Sequence, residues 1–241
     1  YLIYGKTDEQ RMKYRPESIY TDNKVTTMLG KTVISIDNNS KMVILDDSTK
    51  VEYDKLLVAT GSSPFVPPMT GLDNVEKKFT FMTLDDAKAL EVELTKDKNV
   101  LVVGAGLIGL KCVEGICGKV NKITVVDLAE RILPSILDEE GSSMIQKHIE
   151  KSGVEFILGD SVAEFTSETA TLKSGKAVSF DIVVLAVGVR PNVSLIKDIG
   201  GKVNRGIATN DKCETSLKDI YSAGDCTESY DITTDSDRVL A

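Results

Sequence analysis

The sequence predicts an α/β protein built on parallel sheets, and three features predict it. The apolar residues Val100 to Val103 run directly into Gly104, Gly106 and Gly109, and an amphipathic stretch, Leu107 to Cys117, follows. A buried parallel strand reads as a continuous apolar run, and helical spacing after the glycines reads as a helix. A second apolar strand, Lys122 to Val126, ends at Asp127. The chain also repeats itself: Val25, Leu29, Gly30 and Val33 recur as Val154, Leu158, Gly159 and Val162, and each set opens a small β meander.

The glycine stretch carries chemistry. Gly104 permits the tight turn, Gly106 lets a pyrophosphate approach the backbone, and Gly109 lets helix and strand pack closely. The whole loop, Gly104, Ala105, Gly106, Leu107, Ile108 and Gly109, leads into a helix N-terminus with free N–H groups and a positive dipole end. Asp127 stands 18 residues past Gly109, near the spacing of a carboxylate that accepts from a ribose. An acidic group there favours NAD over NADP, because it repels a 2′-phosphate; Arg131 softens that preference.

The bulk properties exclude several classes. The chain has 241 residues, 41% of them hydrophobic, enough for one large core or two modest ones. A net charge of -8 argues against nucleic acid or an anionic membrane surface as the main partner. No apolar run approaches the roughly 20 residues of a membrane span. The cysteines, Cys112, Cys117, Cys213 and Cys226, form neither a metal pattern nor a disulfide framework, which fits a reducing cytoplasm. No metal site is expected. Cys112 and Cys117 read as buried small hydrophobes, and the single histidine, His148, receives no catalytic role.

In chain order, Asp8 to Arg15 reads as a short helix, and Pro16-Glu17-Ser18 as a helix start. Strand signals follow at Val25 to Leu29, Thr32 to Ile36 and Met42 to Leu45, with Asp- and Asn-rich turns between them. Lys55 to Ala59 is a buried strand ending at Thr60-Gly61, and the Pro-rich loop through Pro68 reads as a linker. Thr83 caps a helix to Leu94, and Asp138 to Lys151 forms another. Beyond Pro191 come a short helix, Asn192 to Ile199, an extended stretch, Gly206 to Cys213, and an apolar approach to Gly224-Asp225.

The repeat extends further. Tyr53 to Gly61 recurs as Phe180 to Gly188, and Pro64 recurs as Pro191. Two copies of one unit are therefore expected: a nucleotide strand, a meander, and a strand ending in a glycine turn. The second copy has its phosphate loop 50 residues before Val154, whereas the same distance before Val25 falls outside the chain. The chain is thus expected to be a fragment lacking the start of its first dinucleotide domain and truncated again after Leu240-Ala241.

Four motifs now stand in order: Tyr53-Asp54-Lys55 to Ala59-Thr60-Gly61; Gly104 to Gly109; Ala186-Val187-Gly188-Val189-Arg190-Pro191-Asn192; and Tyr221-Ser222-Ala223-Gly224-Asp225. Together they resemble the pyridine nucleotide-disulfide oxidoreductase superfamily, over essentially the whole chain. The similarity is greatest to the branch of NADH oxidases, rubredoxin reductases and NADH-dependent nitrite reductases. The resemblance implies Rossmann-like FAD- and NAD(P)-binding domains with β meanders, the NAD domain inserted into a partial FAD domain. Residues 1–95 and 190–241 would be FAD-binding and 96–189 NAD(P)-binding. It implies that Asp225 and Gly224 meet the ribityl side of FAD, that Ala59, Thr60 and Gly61 line its adenine and ribose side, and that Val33 lies by the adenine. Gly104, Gly106 and Gly109 would hold the NAD pyrophosphate and Asp127 its ribose, with Val187 and Gly188 near the nicotinamide half. Leu107 stands where relatives often place a tyrosine, and Lys111 where many carry a glutamate, so neither role is carried over. The implied activity is hydride transfer from NADH to flavin and on to a small-molecule or small redox-protein acceptor, in a parent that forms a homodimer. The fragment itself is expected to be inactive, and no catalytic side chain is assigned. A non-catalytic NAD(H)-binding module is the alternative; Ala59 to Gly61 and Gly224-Asp225 argue against it.

Overall fold

The computed structural model describes residues 2–239. Its elements run in the order α1 (Ile19–Asp22), β1 (Val33–Asp37), β2 (Met42–Leu45), β3 (Lys50–Glu52), β4 (Leu56–Val58), β5 (Ser62–Pro64), β6 (Lys78–Thr80), α2 (Leu84–Glu93), β7 (Asn99–Val103) and α3 (Leu107–Ile116). There follow β8 (Lys122–Asp127), α4 (Glu139–Glu150), β9 (Val154–Leu158), β10 (Val162–Phe165), β11 (Thr169–Leu172), β12 (Ala177–Ser179) and β13 (Ile182–Leu185). The chain closes with β14 (Val189–Pro191), α5 (Ser194–Asp198), β15 (Ile207–Ala208), β16 (Ile220–Ser222), β17 (Thr227–Asp231) and β18 (Ser236–Val239). These form two compact units, one of Tyr1–Lys13 with Pro64–Gly188, the other of Tyr14–Ser63 with Val189–Ala241.

The first unit carries a five-stranded sheet in the order β6-β13-β7-β8-β9, parallel throughout. Alternate side chains of β7 serve opposite faces, as the pleat requires. Val100 and Val102 join Cys112 and Ile116 of α3 in one core, while Leu101 and Val103 join Phe165, Leu172 and Phe180 of the meander side in another. Burial on both faces is why β7 and β13 read as uninterrupted apolar runs. The rings of Phe165 and Phe180 meet edge-on with centroids 6.0 Å apart. From β7 the chain steps outward to β8 and β9, then returns to the opposite side of β7 as β13. The strand order therefore reverses between β7 and β13.

The second unit holds a meander, β1-β2-β3, a two-stranded parallel pair, β4 with β16, and a sheet of β15-β17-β18. Its core gathers Ile36, Val58, Ile196, Ile207, Ile220 and Cys226. The sequence repeat is geometric: the β1–β2 ladder breaks register between Val33 and Ser35, and the β10–β11 ladder breaks it between Val162 and Glu164, the equivalent residues.

Several expectations need correction. Val25 to Leu29 forms no strand, and Val25 and Leu29 are exposed. Its repeat equivalent, β9, is a strand because it pairs with β8; a strand signal without a neighbour leaves its backbone to water. Asp8 to Arg15 is a series of turns, and Gly206 to Cys213 is extended only at β15. The compact units also divide the chain differently from 1–95, 96–189 and 190–241. Residues 64–95 belong with the glycine loop, because β6 joins the edge of β13 and Leu90 of α2 is buried in the same core as β7.

Glu228 is a buried carboxylate in the second unit. It accepts hydrogen bonds from the backbone N–H groups of Arg205 and Gly206, each at 2.8 Å, and from Asn204 Nδ2 at 3.0 Å. Burial pushes its pKa up, but these donors outweigh burial and hold it below the ordinary value of 4.5. A depressed carboxylate stabilises the fold above its unfolded pKa and loses that contribution as pH falls through the folded one. Glu228→Gln is therefore expected to cost about 1–3 kcal/mol at neutral pH. The gap between wild-type and variant melting temperatures should narrow as the pH drops below about 4.5, followed by circular dichroism.

Candidate functional site

In the first unit, the carboxyl ends of β7 and β13 lie side by side, where the strand order reverses and open α/β sheets form a ligand crevice. The glycines meet different surroundings there. Gly104 has φ +116°, and a Cβ on it would lie 2.3 Å from the Ala186 carbonyl oxygen. A Cβ on Gly109 would lie 2.0 Å from the Gly104 oxygen, so α3 packs against the loop with no room for a side chain. At Gly106 a Cβ would meet nothing within 4 Å. Two glycines thus serve the closure of the loop, and the third faces open space. Gly106 is also the N-cap of α3, and no side chain caps it.

Asp127 closes this loop. One carboxylate oxygen accepts from Ala105 N–H at 2.5 Å and the other from Ala129 N–H at 2.7 Å. Each oxygen keeps a further lone pair. Val187 is half-buried against the meander-side core, and Gly188 has φ +119° with open space about its α-carbon. Gly104 to Gly109, Asp127, Val187 and Gly188 are thereby brought to one end of one sheet. Leu107 is 55% exposed on the first turn of α3. Lys111, one turn on, pairs with Glu114 at 2.8 Å and borders a cleft of about 470 Å³ shared with Tyr4, Phe81 and Leu84. Cys112 lies beneath, and burial pushes its thiol up to about 12, which suits core packing rather than thiolate chemistry.

In the second unit, the parallel pairing of β4 with β16 sets Ala59-Thr60-Gly61 beside Ala223-Gly224-Asp225. Ser62 Oγ donates to Asp225 Oδ2 at 3.2 Å across the two turns. Val33 lies elsewhere, half-buried at the start of β1 and paired with Leu45. Sequence reasoning passed over Asn192 as a contact-making residue. Its N–H donates to Gly61 O at 2.9 Å and its Nδ2 to Thr60 O at 2.8 Å; its own backbone oxygen accepts from Thr60 Oγ1. Ser63 Oγ donates to its Oδ1 at 2.7 Å. The signal was present, since Asn192 sits at the same distance from Gly188 as Phe65 does from Gly61, but the pairing of the two turns is not visible in one dimension. Cys226 is buried, with its sulfur 3.4 Å from Ser222 Oγ.

Residues 4–238 match the family model described as pyridine nucleotide-disulphide oxidoreductase. The chain belongs to this family. An NADH oxidase of Methanocaldococcus jannaschii is 33% identical over 97% of the chain, and a rubredoxin-NAD(+) reductase of Pseudomonas putida is 27% identical over 93%. The chain spans 55% and 60% of the lengths of those two relatives. Among solved structures, the water-forming NADH oxidase of Lactobacillus brevis bound to NADH superposes with a TM-score of 0.90. It is 26% identical, over 99% of this chain and 55% of that one. In this family member, then, both glycine-bearing turns end parallel strands of mixed α/β units. Among the described residues no helix is long and apolar enough to cross a membrane.

The glycine geometry makes a prediction about stability. Gly109→Ala is expected to cost about 1–3 kcal/mol through overpacking against Gly104. Gly106→Ala, at φ -77° and facing open space, should leave the melting temperature within about 2 °C of wild type. Differential scanning fluorimetry on both variants checks the ranking.

Proposed function

We propose that the chain is part of an FAD-dependent NAD(P)H oxidoreductase that passes a hydride from NADH to flavin and electrons onward to a small-molecule or small redox-protein acceptor. The observation that carries the reading is the open side of Gly106 in a loop whose other glycines are committed to closure. A loop shaped only for packing has no use for that space, whereas a pyrophosphate needs it. Backbone N–H groups of the first turn of α3 would hold the phosphates, and Asp127, already fixed by two backbone donors, would accept from ribose hydroxyls. Its charge favours NADH over NADPH. Gly188 leaves the approach at the end of β13 clear. In the second unit, Gly224-Asp225 would hold the ribityl chain of the flavin and Ala59 to Gly61 its adenine and ribose side, with Ser62 orienting Asp225 and Asn192 fixing the turn. The nicotinamide and flavin supply the hydride and electron chemistry when bound, and the residues supply orientation. No acid–base side chain is needed for a hydride step, and none is assigned.

The relatives support the electron-transfer reading: one is named an NADH oxidase, another a rubredoxin-NAD(+) reductase. The acceptor of this chain stays at the level of a small molecule or small redox protein, and a homodimeric parent is part of the same proposal. The fragment reading is supported by the sheets themselves. β13 has two parallel neighbours, β6 and β7, whereas its repeat equivalent β4 has one, β16, among the described residues. Leu57, at the middle of β4, is 60% exposed. A two-stranded parallel pair of three residues each is short of the strands an independent sheet needs. The place that β7 and its glycine loop occupy beside β13 would be filled, beside β4, by an equivalent strand and loop of the parent.

The chain should bind NADH through its first unit, with NADPH weaker by about tenfold or more, and Gly106→Ala should weaken NADH by a similar factor without unfolding the protein. Fluorescence titration reads both, and equal affinities for NADH and NADPH would remove the role given to Asp127. The same chain should retain no stoichiometric FAD after purification. A flavin absorbance near one per chain would defeat the fragment reading.

A further inference from the structure

Leu133 adopts φ +48°, a left-handed backbone that a bulky side chain occupies rarely and only when its surroundings impose it. The surroundings are specific. Leu133 N–H donates to the carbonyl oxygen of Ala105, in the middle of the glycine loop, at 3.0 Å. The preceding residue, Ile132, is fully buried, and its carbonyl accepts from Ser142 Oγ of α4 at 2.8 Å. Ser142 is itself 1% exposed. On its other side the Ala105 peptide donates its N–H to Asp127. Both backbone polar groups of Ala105 are therefore held by the segment 127–142, and neither is left to water or to a competing turn.

We propose that Leu133 and Ser142 are positioning residues for the dinucleotide. They fix the Ala105 peptide, and with it the glycine loop, in its binding shape before the ligand arrives. The inference rests on the reading of Gly104 to Gly109 as a dinucleotide site. The physical benefit is preorganisation: a loop already ordered spends none of the ligand's interaction energy on being ordered. The left-handed residue is the means, because only a reversal of the chain at Leu133 turns its N–H back toward Ala105 while Ile132 stays in the core. Ser142 secures the reversal from the α4 side.

The test exploits a ranking that packing alone reverses. Leu133→Gly removes the whole side chain but adopts positive φ freely, and Leu133→Val keeps most of the apolar bulk but opposes that backbone. NADH affinity is read by fluorescence titration and folding by circular dichroism and melting temperature. The glycine variant should melt lower than the valine variant yet bind NADH better, with the valine variant weakened about tenfold. Ser142→Ala should weaken NADH about three- to tenfold with an unchanged far-UV spectrum. Affinity that follows melting temperature, with glycine the worse of the two, overturns the proposal, as does unchanged affinity in Ser142→Ala. If a variant fails to fold, amide hydrogen exchange on the wild-type protein decides: protection of the Leu133 amide without NADH supports the clamp, and rapid exchange there overturns it. Wild-type protein that binds neither NADH nor ADP-ribose would refute the dinucleotide site itself, and the positioning role with it.

Discussion

The structure of the first unit depends on one close approach. The glycine loop after β7, the first turn of α3 and the end of β13 converge so tightly that side chains at Gly104 and Gly109 are sterically excluded. This convergence sets the spacing between helix and sheet, which brings Cys112 and Ile116 into the core with Val100 and Val102. It also places the carboxyl ends of β7 and β13 side by side at the point where strand order reverses. Gly106 is the position this packing leaves open.

Polar groups then hold what the glycines allow. Half-buried Asp127 links the end of β8 to the loop by accepting from Ala105 N–H, and its second oxygen accepts from Ala129 N–H. In the second unit, Glu228 accepts two backbone N–H groups at the turn Arg205-Gly206, and Asn192 donates its side-chain amide to the Thr60 carbonyl, joining the turns after β4 and β14. The glycine loop and the Thr60-Gly61 turn are thus each fixed by a polar side chain from another part of the chain. Loops so held keep a ligand-ready shape at little further entropic cost.

The two units make the same architecture to different extents. Their meanders share the position of a register break, and the strands that follow those meanders, β4 and β13, both run into a left-handed glycine, Gly61 and Gly188. Among the described residues, β13 of the first unit has parallel neighbours on both sides, whereas its repeat equivalent β4 has one. The segment Val25 to Leu29 shows the effect of that difference. Its residues match those of β9, yet it is no strand, because strand formation is settled by a hydrogen-bonding neighbour more than by intrinsic propensity.

The sequence by itself determined the α/β class, the strand–glycine–helix unit, the terminal Asp127, the repeat and the family. Apolar periodicity and glycine spacing are local patterns, and the physics that produces them acts within about ten residues. It also placed the helix cap Thr83, because a capping side chain reaches only three residues along the chain. Tertiary structure alone decided where the units divide, since the attachment of β6 to β13 joins residues about a hundred apart in sequence. It alone gave the distances behind the different roles of Gly106 and Gly109, because what a Cβ would strike depends on how the turn folds back on itself. It alone exposed the left-handed Leu133 and its bond to Ala105, for nothing in the residues Ile132-Leu133-Pro134 announces a reversal. Contacts between distant segments carry these decisions, and a linear pattern holds no record of which segments meet.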